Sequence, residues 1–357
     1  MENENKKKNL IKLILAIAAE LFVAAFIVWF FDPFYQYHAP FFGMEAVLND
    51  RDNQMPGTVR NFEYDSVLVG SSVAENFNSD YLDETYGCST LKLIRASGSM
   101  ADLLYYLDMA QKEQSLQNVF WCLDIFALDS STEVTLYGED IPRYLHTKAV
   151  YDDLPYLFNK EILLEKIPAA LAMAYQGINV GGNAYNWARD KEFSADRAML
   201  AYDKSSVEHG QEIEQTVSAE LKQKTSDNLE LLKVQIEAHP EITYRFMIPP
   251  YSMLWWDCAY VNGQLEERLY ILEETLPVLL AYENVEVHYF QSDEEIICNL
   301  DNYMDMIHYS PYVSQSMLEK MAVGENKVTL DSYRETLDAM RELALRITQE
   351  DIYRYYP

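Results

Sequence analysis

Ser72, Asp305 and His308 are the residues of this chain best suited to do chemistry together. A serine hydroxyl is a weak nucleophile until a base stands within hydrogen-bond reach. His308 can be that base. Asp305, three residues earlier, can curl back to the imidazole Nδ1–H, fix its tautomer and stabilise the imidazolium that forms. Taken singly, each piece has an ordinary explanation. Gly70-Ser71-Ser72 can be a turn with an N-capping serine, and Asp-x-x-His can be a solvated pair. Their order along the chain is what joins them, and it depends on the elements that must position them.

Five short β-rich runs punctuate the sequence, at 66–69, 91–94, 119–123, 243–248 and 285–290. Amphipathic helical patterns lie between and after them. Leu221, Leu229, Leu232 and Ile236 share one helical face. Leu265, Leu269, Leu272, Leu276 and Leu279 share another. Tyr333, Leu337, Met340, Ala344 and Ile347 form a third. Strands alternating with such helices predict an α/β fold whose parallel sheet is covered on both faces. Ligands of open parallel sheets gather beyond the carboxyl ends of the strands. The segments predicted there are Gly70 to Phe77, Ala96-Ser97-Gly98-Ser99, Asp124-Ile125-Phe126, Pro249-Pro250-Tyr251-Ser252 and Asn302 to Ser310. A serine, a glycine turn and an Asp-x-x-His thus converge on one sheet edge. The turn at Gly70 is expected to deliver Ser72 to a helix start, where free N–H groups can meet a developing oxyanion. Residues 130–215 hold no convincing strand and read as an inserted helical cap, with a helix over 160–175. Such insertions commonly wall a site.

The N-terminus sets the compartment. Lys6, Lys7 and Lys8 precede an apolar stretch over 10–31, broken only by Lys12 and Glu20. At about 1.5 Å per residue this helix crosses the roughly 30 Å hydrocarbon core. Glu20 costs ~2–3 kcal/mol at mid-membrane, a cost the run 21–31 can carry. No small-residue cleavage signal follows, which favours an uncleaved signal anchor. The lysines place the N-terminus in the cytoplasm and the rest of the chain outside. The expected organisation is a tail (1–8), an anchor (9–31), a proline-bearing stem (32–60) and one domain (61–357).

Bulk properties exclude some classes. A net charge of −29 argues against nucleic-acid partners, because a polyanion would be repelled. Cys88, Cys122, Cys258 and Cys298 show no metal-ligand spacing and define no disulfide, and no metal or cofactor is expected. His38, His146, His209, His239 and His288 gain no chemical support from their neighbours. Tyr251, Trp255 and Trp256 can form either a sugar-stacking platform or a packed loop.

These blocks together resemble the SGNH/GDSL hydrolase superfamily, and in particular membrane-anchored SGNH-like proteins of Gram-positive bacteria. The resemblance runs through Asp32-Pro33-Phe34, Tyr37-His38, the 70–77 block, Tyr156 to Lys160, the 249–252 block and 302–310, and so covers most of the chain. It implies a three-layer, flavodoxin-like sandwich with a five-stranded parallel sheet. It makes Ser72 the nucleophile, with Ser71 as fallback, and Asp305 and His308 the rest of a triad. It gives Gly98 the role of oxyanion donor. The family's third block carries an asparagine that donates to the oxyanion. This chain has Asp124, which when ionised only accepts. The activity implied is ester hydrolysis or O-acyl transfer on cell-surface glycans or teichoic-acid-type esters, by analogy beside a multi-spanning acyl-donor protein. The competing expectation is a catalytically inactive scaffold or glycan-binding module of the same fold.

Overall fold

The computed structural model describes residues 2–135, 141–202 and 213–355, and the chain divides into two compact units. His209 lies outside the described residues.

The larger unit, 63–138 with 182–357, is built on a six-stranded sheet. Its strands are β1 (Ser66–Gly70), β2 (Thr90–Ile94), β3 (Asn118–Cys122), β4 (Thr243–Ile248), β5 (Val285–Tyr289) and β6 (Lys327–Val328), in the order β2-β1-β3-β4-β5-β6. The first five run parallel, with Val69 beside Leu93 on one side and Trp121 on the other. β1 is buried along its whole length, as expected of a parallel strand covered on both faces. β6 is antiparallel to β5 and pairs only Val287 with Val328 and His288 with Lys327. It corrects the expected five-stranded sheet: a two-residue strand is too short to leave a periodic signal in sequence.

The helices Met100–Glu113, Ala219–Ala238, Leu265–Leu279 and Tyr333–Gln349 pack in succession, and Ser79–Tyr86 packs on Pro311–Ala322. The leucines of the first two predicted faces are all buried, because a stripe repeating every three or four residues points one way on a helix. Ser72 does not open a helix, contrary to expectation. Residues 72–76 form turns, and the next helix waits until Ser79, where the Asn78 side chain accepts from the Asp80 N–H.

The smaller unit joins residues 1–62 to 139–181. Its N-terminal helix, Glu2–Phe31, is long and apolar enough to cross a membrane, with a mean hydropathy of 2.6 over its apolar window. The turn that follows is organised by Asp32. Its buried carboxylate accepts from the N–H groups of Gln36, Tyr37 and His38 and from the Tyr156 hydroxyl at 2.7 Å. His38 turns back so that Nε2 meets the carbonyl of Trp29 at 2.8 Å, which satisfies an orphan carbonyl at the helix end. The segment 32–60, expected as a proline-bearing stem, is folded into the smaller unit. It contains the helix Arg51–Asn61 with a buried run from Gln54 to Val59, and Gly57 leaves no room for a Cβ beside the Phe34 carbonyl. The stretch 130–215, expected as one inserted cap, is shared between the two units. Residues 139–181 supply Leu145, Tyr156, Ile162 and Ile167 to a core with Val28 and Phe34, whereas the described residues from 182 onward belong to the sheet unit. The helix expected over 160–175 is present as a wider π-type segment, Ile162–Lys166, running into the α-helix Ile167–Gln176.

Candidate active site

All the candidate residues lie in the sheet unit, on loops beyond the carboxyl ends of β1 to β4 and on the loop before Pro311. Gly70 closes β1, and a Cβ there would meet the Ala74 Cβ at 2.5 Å, so only glycine allows the chain to turn so tightly. Ser72 follows, half-buried. Its Oγ lies 2.9 Å from His308 Nε2, and His308 Nδ1 lies 2.7 Å from Asp305 Oδ2. Three side chains from opposite ends of the sequence thus form one hydrogen-bonded chain.

Local backbone explains how the histidine and aspartate meet. Tyr303 and Tyr309 form an antiparallel bridge, and the Met304 N–H donates to the His308 carbonyl at 3.0 Å, pinching 303–309 into a small hairpin. Inside it, Asp305 Oδ1 accepts from the N–H groups of Ile307 (2.9 Å) and His308 (2.7 Å). Burial alone would raise the Asp305 carboxyl. The His308 side chain, its charge and these two N–H groups outweigh burial and hold it below the usual carboxylate value. The loop after β4 anchors the hairpin from outside. Ser252 donates through N–H and Oγ to the Met306 carbonyl, and the Tyr303 hydroxyl donates to the Pro250 carbonyl at 2.9 Å.

The oxyanion side differs from what the family pattern implies. The Gly98 N–H donates to the Arg95 carbonyl at 3.0 Å, so the expected donor is already occupied within its own turn. Ser72 supplies an alternative, because among the described residues its own N–H has no acceptor. Asp124 is buried after β3, at the N-cap of Ile125–Leu128, but its side chain makes no capping bond. Instead Oδ1 accepts from the Tyr251 hydroxyl at 2.5 Å. Oδ2 is buried without a hydrogen-bond partner among the described residues, although Ser71 stands close enough to favour the charged form. Desolvation dominates and pushes the Asp124 carboxyl above the usual value, against the pull of Ser71, Tyr251 and His308.

Tyr251 and Trp256 are fully buried, so neither offers a stacking face. Tyr251 serves Asp124, and the Trp256 indole N–H donates to Gln291 at 3.0 Å. Trp255 alone borders open space. With Phe126, Ala259, Arg268, Ile307 and His308 it lines a largely apolar cleft of about 360 Å³. The Arg268 guanidinium lies over the Trp255 ring and 3.5 Å from Asp129.

Sequence reasoning missed Trp187. Its Nε1–H donates to the Ser72 carbonyl at 3.0 Å, and its ring meets the His308 imidazole edge-on at 5.4 Å. Asn76 holds it there by accepting from the N–H groups of Trp187 and Ala188. The available signal was one tryptophan within the strandless stretch 130–215.

No family model matches the chain, and no curated protein does. Among solved structures, a protein of Streptococcus pneumonia described provisionally as a platelet activating factor is similar over 76% of this chain and 91% of its own, at 10% identity and a TM-score of 0.40. So distant a likeness transfers nothing to this chain.

Proposed function

We propose that this protein is an extracytoplasmic serine esterase or O-acyltransferase of the SGNH type, tethered by its N-terminal helix. The observation that carries the proposal is the continuous chain from Ser72 Oγ through His308 to Asp305, at 2.9 and 2.7 Å. The strand order β2-β1-β3-β4-β5, with helices in two groups, agrees with a three-layer, flavodoxin-like sandwich.

On this reading Ser72 Oγ attacks the ester carbonyl carbon while its proton passes to His308 Nε2. Asp305, kept ionised, holds the Nδ1–H and stabilises the imidazolium. The Ser72 N–H meets the oxyanion of the tetrahedral intermediate. His308 then returns the proton to the departing oxygen, leaving an acyl-enzyme. Water or a sugar hydroxyl, deprotonated by His308, attacks that ester and frees Ser72. The cleft bounded by Phe126, Trp255 and Ala259 suits the apolar part of a substrate, and its contact with His308 puts that part beside the reacting bond.

The second reading, a catalytically silent scaffold or glycan-binding module, is favoured by two observations: the occupied Gly98 N–H, and a carboxylate at Asp124 where a donor is needed. One experiment separates them. A fluorophosphonate probe and p-nitrophenyl acetate are presented to the full chain and to Ser72→Ala. Labelling and turnover that vanish in the variant support the enzyme. A folded wild type that neither labels nor turns over supports the scaffold.

A further inference from the structure

The residues that cover the last turn of the N-terminal helix carry information about the membrane. Residues 10–31 span roughly 33 Å at 1.5 Å per residue, which matches a hydrocarbon core of roughly 30 Å. Phe31 then marks the outer edge, and Val28 lies roughly 4.5 Å inside it. Val28 is nevertheless 0% exposed. It is buried by Phe34, Leu145, Tyr156, Ile162 and Ile167, with Ile27 and Phe31 packed against the same cluster. Protein that covers Val28 sits at the depth of Val28.

Large apolar side chains stand on the outside of that covering protein, with Lys160, Glu161 and Glu165 exposed among them. Leu154 is 57% exposed, Phe158 46%, Leu164 68% and Leu171 45%. Residues 167–180 contain no charged side chain, in a chain whose net charge is −29. Large exposed apolar patches mark interaction sites. Tyr175 (93% exposed) and Phe42 (90%) add large rings of the kind that collect at the headgroup level. A mostly apolar cleft of about 350 Å³ opens beside them, between Phe31, Pro33 and Met44 on one side and Ile167 and Leu171 on the other.

We propose that 154–176 is a second, non-spanning membrane element that lies in the outer leaflet beside the anchor, with Leu154, Phe158, Leu164 and Leu171 against lipid acyl chains. The proposal rests on reading the N-terminal helix as a spanning anchor. Depth decides the occupant: an apolar face held level with Val28 meets lipid before it meets anything else. The segment's charged residues gather over 160–166: Lys160, Glu161 and Glu165 are exposed and need the headgroup level, which Lys160 reaches by its long aliphatic stem, while Lys166 pairs with Asp50 at 2.9 Å and lies 3.9 Å from Glu161.

The test uses the full chain in nanodiscs of phosphatidylcholine and phosphatidylglycerol, with Cys88, Cys258 and Cys298 replaced by alanine. An environment-sensitive fluorophore is attached at Leu164→Cys, Leu171→Cys, Phe22→Cys or Val234→Cys in turn. Positions 164 and 171 should lose most of their emission to a nitroxide lipid and resist aqueous iodide, as Phe22→Cys should, while Val234→Cys should do the reverse. If Phe22→Cys is quenched by lipid but 164 and 171 yield to iodide, the second element is overturned and the anchor stands. If 164 and 171 resist both quenchers, protein covers the face and the proposal also fails. If Phe22→Cys yields to iodide, the anchor reading itself is wrong and takes the proposal with it.

Discussion

At the scale of single residues, the site is a balance of one well-supported carboxylate and one poorly supported one. Asp305 carries two backbone donors and the imidazole, so its charge is stabilised in the folded protein. Because its folded value lies below its unfolded one, its contribution to stability is present above the unfolded pKa and is lost as pH falls through the folded pKa. Asp305→Asn keeps the shape but offers Nδ1 the wrong partner for the required tautomer. Turnover should drop by roughly 10³–10⁴-fold while serine-probe labelling weakens in parallel, measured by kcat on p-nitrophenyl acetate. Asp124 is the opposite case. Its Oδ2 has no partner among the described residues, and Asp124→Asn would keep the bond from Tyr251 while turning the orphan position into a donor. If that position faces the oxyanion, kcat should rise by up to about 10²-fold; an unchanged kcat places Asp124 in the loop architecture alone. That Ser72, His308 and Asp305 lie within hydrogen-bond reach was legible because Asp-x-x-His is local, and because topology rules send strand ends to one edge even when Ser72 and His308 lie far apart in the chain. The Gly98 N–H was not legible. Whether a glycine amide is free depends on a turn that sequence leaves undetermined, and here Arg95 takes it.

At the scale of elements, the turn after β1 is held as much from behind as from the front. Lys92, fully buried on β2, donates to the carbonyls of Glu75 at 2.9 Å and Ala184 at 2.7 Å, tying the Ser72 turn to the segment that carries Trp187. Desolvation lowers its ammonium to about 7. The unfolded chain therefore holds more protons than the folded one between about 7 and the ordinary lysine value, and this residue makes stability rise with pH across that window. Lys92→Met should remove that slope, read from urea midpoints on both sides of it. It should also strand two buried carbonyls, at a cost of about 1–3 kcal/mol at neutral pH. β1 and β3 were readable because they are buried strands with apolar runs, Val67 to Val69 and Val119 to Cys122, whereas β2 is interrupted by Lys92 and shows only its β-rich flanks. β6 and the delayed helix at Ser79 were not. The first is too short for any period, and the second is fixed by Asn78 capping Asp80 rather than by the glycine-serine turn before it.

At the scale of the whole molecule, the chain visits its two units alternately: 1–62, 63–138, 139–181 and 182–357. The sequence showed a helix long and apolar enough to cross a membrane and the α/β class, but it showed 130–215 only as one strandless block. The boundary inside it is set by which core each half completes, Val28 with Ile162 in one unit and Asn76 with Trp187 in the other. This interleaving bears on how the protein is made. The ribosome delivers Val28 long before Ile162, and at roughly 5–20 residues per second the interval is on the order of ten seconds. On the proposed reading of the first helix as a membrane anchor, it would during that time already be in the bilayer, while the side chains that will sheathe its final turn are still unsynthesised. For those seconds lipid is a placeholder for protein. The nascent chain must displace it in the same interval in which β1, β2 and β3 emerge without their partner β4, so biogenesis has two unfinished surfaces to protect at once.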